Sequence, residues 1–147
     1  MKLHILSLLL AAVAGCAMAV QGSLNAVLGK IIGLLESTLI VTALAALTAL
    51  AALFLGLGKG ELTQLSSASW YKFLGGPLLV IITYSVVAAS PPLGVANATT
   101  VIVAAQVTTA VIIDHFGLFG LEAVPFNWWK IAGLILLAAG TRLMLTQ

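Results

Sequence analysis

The chain has 147 residues, 62% of them hydrophobic and 7% charged, with a mean hydropathy of +1.22; soluble domains hold about 45–50% apolar residues, so a water-soluble globular fold is excluded. Six Lys/Arg and four Asp/Glu are scattered without a basic cluster, which excludes the electrostatic footprint of a nucleic-acid partner. The single cysteine, Cys16, rules out an intrachain disulfide and a CxxC metal knot.

A bilayer core of ~30 Å needs roughly 20 apolar residues per crossing helix. The first candidate span covers residues 3–28. Val13-Ala14-Gly15-Cys16 and Ala17-Met18-Ala19 resemble lipoprotein and signal-peptide cleavage sites. Apolar sequence continues past both, however, and the remaining chain is itself membrane-like, so the expectation is an uncleaved first helix. Gly15, Gly22 and Gly29 recur every seven residues, a stripe of small residues against which another helix can pack closely. Gln21 and Asn25 are four apart and share a neighbouring face. Two readings fit them: hydrogen bonding between helices, or contact with a solute.

The second span, 37–57, follows Glu36, an acid that suits a positive helix N-terminus, with Ser37 as the expected cap. From Phe73 to Ile113 no side chain is charged. Only Ser90-Pro91-Pro92-Leu93-Gly94 interrupts this stretch, and its prolines predict a turn between a third span, 70–90, and a fourth, 95–113. The fourth carries Asn97, Thr99, Thr100, Gln106, Thr108 and Thr109, more polar groups than any other. The fifth, 128–145, holds Lys130 and Arg142 near its ends and crosses if both snorkel to the interfaces. The predicted fold is therefore all-α: a polytopic transmembrane helical bundle of five spans with short connections, forming one integral membrane domain.

Alternating spans put Lys2, Lys59, Lys72 and Lys130 on one side, the near side, and Lys30 and Arg142 on the far side. This excess predicts a cytoplasmic N-terminus and a C-terminus on the opposite side. Trp70-Tyr71 and Trp128-Trp129 fall on the near side as well, where amphipathic rings anchor helices at the headgroups.

Polar groups inside spans lack water and so are the candidates for function. At ~1.5 Å per residue, Asn97 lies about 5 Å and Gln106 about 18 Å below the far surface, Gln21 lies close to the depth of Asn97, and Tyr84 and Ser85 lie between. Packing of spans one, three and four would join these groups into a polar track. The candidate solute-binding residues are Gln21, Asn25, Tyr84, Asn97 and Gln106. Asp114, His115 and Glu36 are the candidates for proton linkage. An acid at a helix C-terminus is disfavoured by the dipole, so Asp114 calls for a partner such as His115 or Lys130. No nucleophile-base pair, phosphate loop, metal cluster or cofactor motif is present in the sequence, and no enzymatic activity is expected.

Leu93-Gly94-Val95-Ala96-Asn97-Ala98-Thr99-Thr100, Gln106, and Ile112-Ile113-Asp114-His115-Phe116-Gly117-Leu118-Phe119-Gly120 resemble the YdcZ-type family of small bacterial inner-membrane proteins. So do Gln21-Gly22-Ser23-Leu24-Asn25-Ala26-Val27-Leu28-Gly29, Trp70 to Gly76, and Gly133 to Gly140. Ala105 departs from the glycine expected before Gln106. The family belongs to the drug/metabolite transporter superfamily, whose five-helix units resemble half of a ten-helix carrier. The resemblance implies an inner-membrane exporter of a small molecule, assembled as a homodimer or with a related protomer, and supplies no substrate. In the small multidrug resistance relatives, a first-helix glutamate couples proton and cation; here that helix has Gln21 and no acid. A non-transporting integral membrane subunit that stabilises or regulates a partner membrane protein is the alternative reading.

Overall fold

The computed structural model describes residues 2–125 and 127–146. Five α-helices follow one another: α1 (Lys2–Ile32), α2 (Leu34–Phe54), α3 (Gly75–Leu93), α4 (Val95–Phe116) and α5 (Trp128–Leu145). All five, with the 3-10 turn Trp70–Leu74 extending α3, are long and apolar enough to cross a membrane. A helix satisfies its own backbone within the segment, which is what hydrocarbon demands of any spanning chain. α1 runs without a break through Ala17-Met18-Ala19.

The helix ends differ from the boundaries that charges suggest. The expected loop between the first two spans shrinks to Gly33. Its φ of 105° and ψ of 156° end α1 and start α2 in one residue. Its N–H donates to the Gly29 carbonyl at 3.0 Å, and its own carbonyl accepts from the Ser37 N–H at 3.1 Å. Only glycine takes such a φ without strain. Ser37 is therefore not the helix cap. It lies in the first turn of α2, fully buried, and its hydroxyl donates to the Leu34 carbonyl at 2.9 Å.

The Pro91-Pro92 pair likewise does not turn the chain. Both prolines continue α3, and the helix stops only at Gly94, where φ is 80° and ψ 149°. Proline has no N–H to give the carbonyl four residues back, yet its fixed φ is helical, so a last turn tolerates it better than a helix interior. Immediately before the prolines, the Ser90 hydroxyl donates to the Val86 carbonyl at 2.7 Å. Gly94 repeats the geometry of Gly33, its carbonyl accepting from the Ala98 N–H at 3.0 Å.

Two compact units divide between Pro92 and Leu93. In the first, α1 packs along α2 and α3 meets α1 at its glycines. A Cβ added to Gly22 would stand 3.0 Å from Val86 Cγ1, and one added to Gly29 would collide with Val87 Cγ1. Two members of the heptad stripe thus form the expected close contact, whereas Gly15 has nothing near it. Val87 is completely buried there, and Ala26 nearly so. Large apolar side chains such as Leu8, Leu24 and Leu39 face outward, the pattern of helices joined through small residues and surrounded by lipid.

In the second unit, α5 packs on α4. Asn127 caps α5, its Oδ1 accepting from the Trp129 N–H at 3.2 Å. The preceding connection is tied down by the Asp114 backbone carbonyl, which accepts from Val124 N–H at 2.8 Å and Gly117 N–H at 3.4 Å. Trp128 and Trp129 are exposed at the start of α5, as is Trp70 ahead of α3.

Candidate functional site

Many helical hydroxyls bond within their own helix, although Thr83 on α3, 7% exposed like Asn25, makes no such bond among the described residues. Ser23, Ser37, Thr38, Thr42, Thr48, Ser90, Thr100, Thr108 and Thr141 each donate to a carbonyl of their own helix at 2.7 to 3.0 Å. A hydroxyl needs to place only one proton, and the carbonyl three or four residues back is within its reach. A carboxamide has two N–H donors and an acceptor and extends past its own backbone. Among the described residues, Gln21, Asn25, Asn97 and Gln106 make no side-chain hydrogen bond, and neither does the Tyr84 hydroxyl.

Asn25 stands out within this group because it is 7% exposed. It lies between Gly22 and Gly29 on the face of α1 that approaches Val86 and Val87. Its amide atoms are nonetheless not sealed off: among the described residues no buried side-chain nitrogen or oxygen lacks a partner, so the Asn25 amide keeps access to the space beside it. Asn25 also lines a groove of about 680 Å³ along α1, with Gln21 one turn earlier and Cys16 and Ala17 beyond it. The groove's remaining walls are apolar, formed by Leu9, Val13, Val20 and Leu24 among others, and it carries no ionisable carboxylate or amine. All of these residues belong to α1, so the groove is an open stretch of one helix's surface rather than an enclosed cavity. Glycine at positions 22 and 29 is what lets α3 come near enough to cover Asn25.

The other candidates are distributed separately. Tyr84 and Ser85 are exposed on α3 and line neither this groove nor the one described next. On α4, Asn97 is half-buried and Gln106 exposed. Nine residues are two and a half helical turns, so these amides point to opposite sides of α4. One face of α4 therefore cannot carry the track that their depths suggested. Asp114 is half-buried in the last turn of α4, and the ring of His115 sits edge-on to Phe116 with centroids 4.9 Å apart.

A second groove, of about 460 Å³, lies between α2 and α3. Leu35, Glu36, Thr38, Leu39 and Thr42 line it from α2 and Val80 from α3. The Glu36 carboxylate folds back onto Gly33, where a Cβ would collide with its Oε2. The sequence singled out Glu36 as a helix-start acid but not this groove. Thr38 and Thr42 share a face at i, i+4, a detectable signal; Val80, its wall on another helix, leaves no local trace.

Five apolar helices long enough to cross a membrane define a polytopic helical membrane protein. The family described as "Putative inner membrane exporter, YdcZ" matches residues 6–143. The chain belongs to this family, an integral inner-membrane protein of the exporter class. No curated protein and no solved structure matches it.

Proposed function

We propose that the protein is a secondary transporter that exports a neutral or zwitterionic small molecule, with Gln21 and Asn25 of the α1 groove as its first solute contacts. The supporting observation is Asn25: a largely buried residue whose amide makes no hydrogen bond among the described residues and stays accessible from the α1 groove beside Gln21. Were this amide structural glue, its donors would reach a neighbouring helix. A solute amide, carboxylate or hydroxyl supplies what it lacks.

Asn97, Gln106 and Tyr84 supply further contacts along the route, Asn97 and Gln106 from opposite sides of α4. Two protomers, identical or related, work together, rocking about the solute so that it faces each side in turn. Asp114 and His115, at the near end of α4, carry the proton linkage. The N-terminus is cytoplasmic and the C-terminus faces the opposite side.

Proteoliposomes preloaded with a defined mixture of amino acids, nucleosides and sugars test this reading. At least one solute should leave faster than from protein-free vesicles, and Gln106→Ala should slow its exit. Normal flux with Gln106→Ala silent removes Gln106 from the route. No flux, together with co-purification of a second membrane protein, favours the stabilising-subunit reading instead.

A further inference from the structure

We propose that the groove between α2 and α3 holds a phospholipid with a primary-amine headgroup, its ammonium on Glu36 and its acyl chain along Leu39, Thr42 and Val80. The polar groups of the groove have one chemistry. Thr38 donates its only hydroxyl proton to the Leu34 carbonyl at 2.8 Å, and Thr42 donates its own to the Thr38 carbonyl at 2.8 Å. Thr38 is fully buried, so the accessible polar groups are the Thr42 hydroxyl, which offers lone pairs only, and the Glu36 carboxylate, which is acceptor-only as well. Two acceptors, one of them negative, call for a positively charged donor. Among the described residues no ion pair occupies the Glu36 carboxylate.

Position identifies the source of that donor. Glu36 is in the first turn of α2, at the level where a spanning helix leaves the hydrocarbon. Thr42 lies six residues further along, ~9 Å deeper. The groove thus starts at headgroup depth and descends into the acyl region, between Leu35 and Leu39, which are 63% and 69% exposed. The opposite charge of the headgroup also finds a partner at this end. Lys30 is in the last turn of α1, and the single residue Gly33 separates the end of α1 from the start of α2. A zwitterionic aminophospholipid places its phosphate toward Lys30 and its ammonium toward Glu36. A choline headgroup has no N–H to donate, and a glycerol headgroup has no positive charge, so the groove discriminates against both.

Native mass spectrometry of the purified protein, offered phosphatidylethanolamine, phosphatidylcholine and phosphatidylglycerol with identical acyl chains, tests the proposal. The expected result is about tenfold greater retention of phosphatidylethanolamine than of either other lipid, the scale of one charge-assisted hydrogen bond. Glu36→Gln should remove the preference, and Thr42→Val should weaken it while leaving the groove's shape intact. Equal retention of the three lipids by the unaltered protein overturns the proposal without recourse to any variant. A preference that survives Glu36→Gln overturns it too. Octylammonium, which has the amine but no phosphate, should compete poorly; displacement at concentrations equal to the lipid would assign the groove to a soluble amine. A disulfide between two copies carrying Leu39→Cys in a Cys16→Ala background would show a second protomer covering the groove, and also contradict the lipid assignment.

Discussion

The α1 groove and the α2 face of the same unit contain similar numbers of polar side chains and treat them in opposite ways. On α2, Thr38, Thr42 and Thr48 close hydrogen bonds within their own helix, so the helix is self-sufficient in hydrocarbon. On α1, Gln21 and Asn25 close none among the described residues, and Asn25 is nevertheless buried. A membrane helix can carry hydroxyls at little cost because its carbonyls absorb them. An amide reaches past its own backbone, so Gln21 and Asn25 are left with donors that the proposed solute would engage.

The largest expected effect falls on the amide side of this contrast. Asn25→Leu, similar in volume and unable to hydrogen-bond, should reduce solute exit from proteoliposomes ten- to a hundredfold, the worth of one or two buried hydrogen bonds. Unchanged exit would erase the functional difference between the two helices. Next in size is Gly33→Ala. It places a Cβ at a φ of 105° and against the Glu36 carboxylate, and thermal unfolding in lipid nanodiscs should show a loss of about 2–3 kcal/mol.

Gly29→Ala sharpens the contrast further, since α3 covers Asn25 only if it can reach the glycine face. The added methyl meets Val87 and Ser37 and should cost about 1–2 kcal/mol, read by the same unfolding measurement. Gly15→Ala, with open space around it, should be neutral or slightly stabilising. The smallest effect belongs to the hydroxyl side: Thr48→Val should change stability by less than about 0.5 kcal/mol. A larger loss from Thr48→Val would mean that hydroxyls on α2 also make contacts beyond their own helix.

Much of the fold is written locally. Uncharged runs bounded by Lys, Asp and Trp mark five helices because hydrocarbon excludes charge, and residues 95 and 128 begin helices where the Ser90–Gly94 interruption and an aromatic pair indicated. Turn chemistry was harder to read. Prolines signal a break by their missing N–H, but Pro91 and Pro92 stand where the helix loses little, and the break belongs to Gly94. Similarly, Glu36 and Ser37 read as a capping pair, while Gly33, three residues earlier, supplies the backbone freedom that ends one helix and starts the next.

The amides were visible as polar groups in apolar runs, and their i, i+4 spacing put Gln21 and Asn25 on one face. Whether they bond to another helix depends on what packs over them, which Val86 and Val87 settle from some sixty residues away in the chain. Depth counting placed Asn97 and Gln106 on one track because it ignores rotation about the helix axis. The α2–α3 groove escaped notice because Val80 supplies a wall through tertiary packing alone.

The thermal unfolding midpoint of Asn25→Leu in lipid nanodiscs tests the central claim most directly. If Asn25 is held without a protein partner, ready for a solute, replacing its amide with an apolar side chain removes no hydrogen bond within the protein, and the midpoint should not fall. A fall of several degrees would show that the amide stabilises the helix assembly, and would contradict the account.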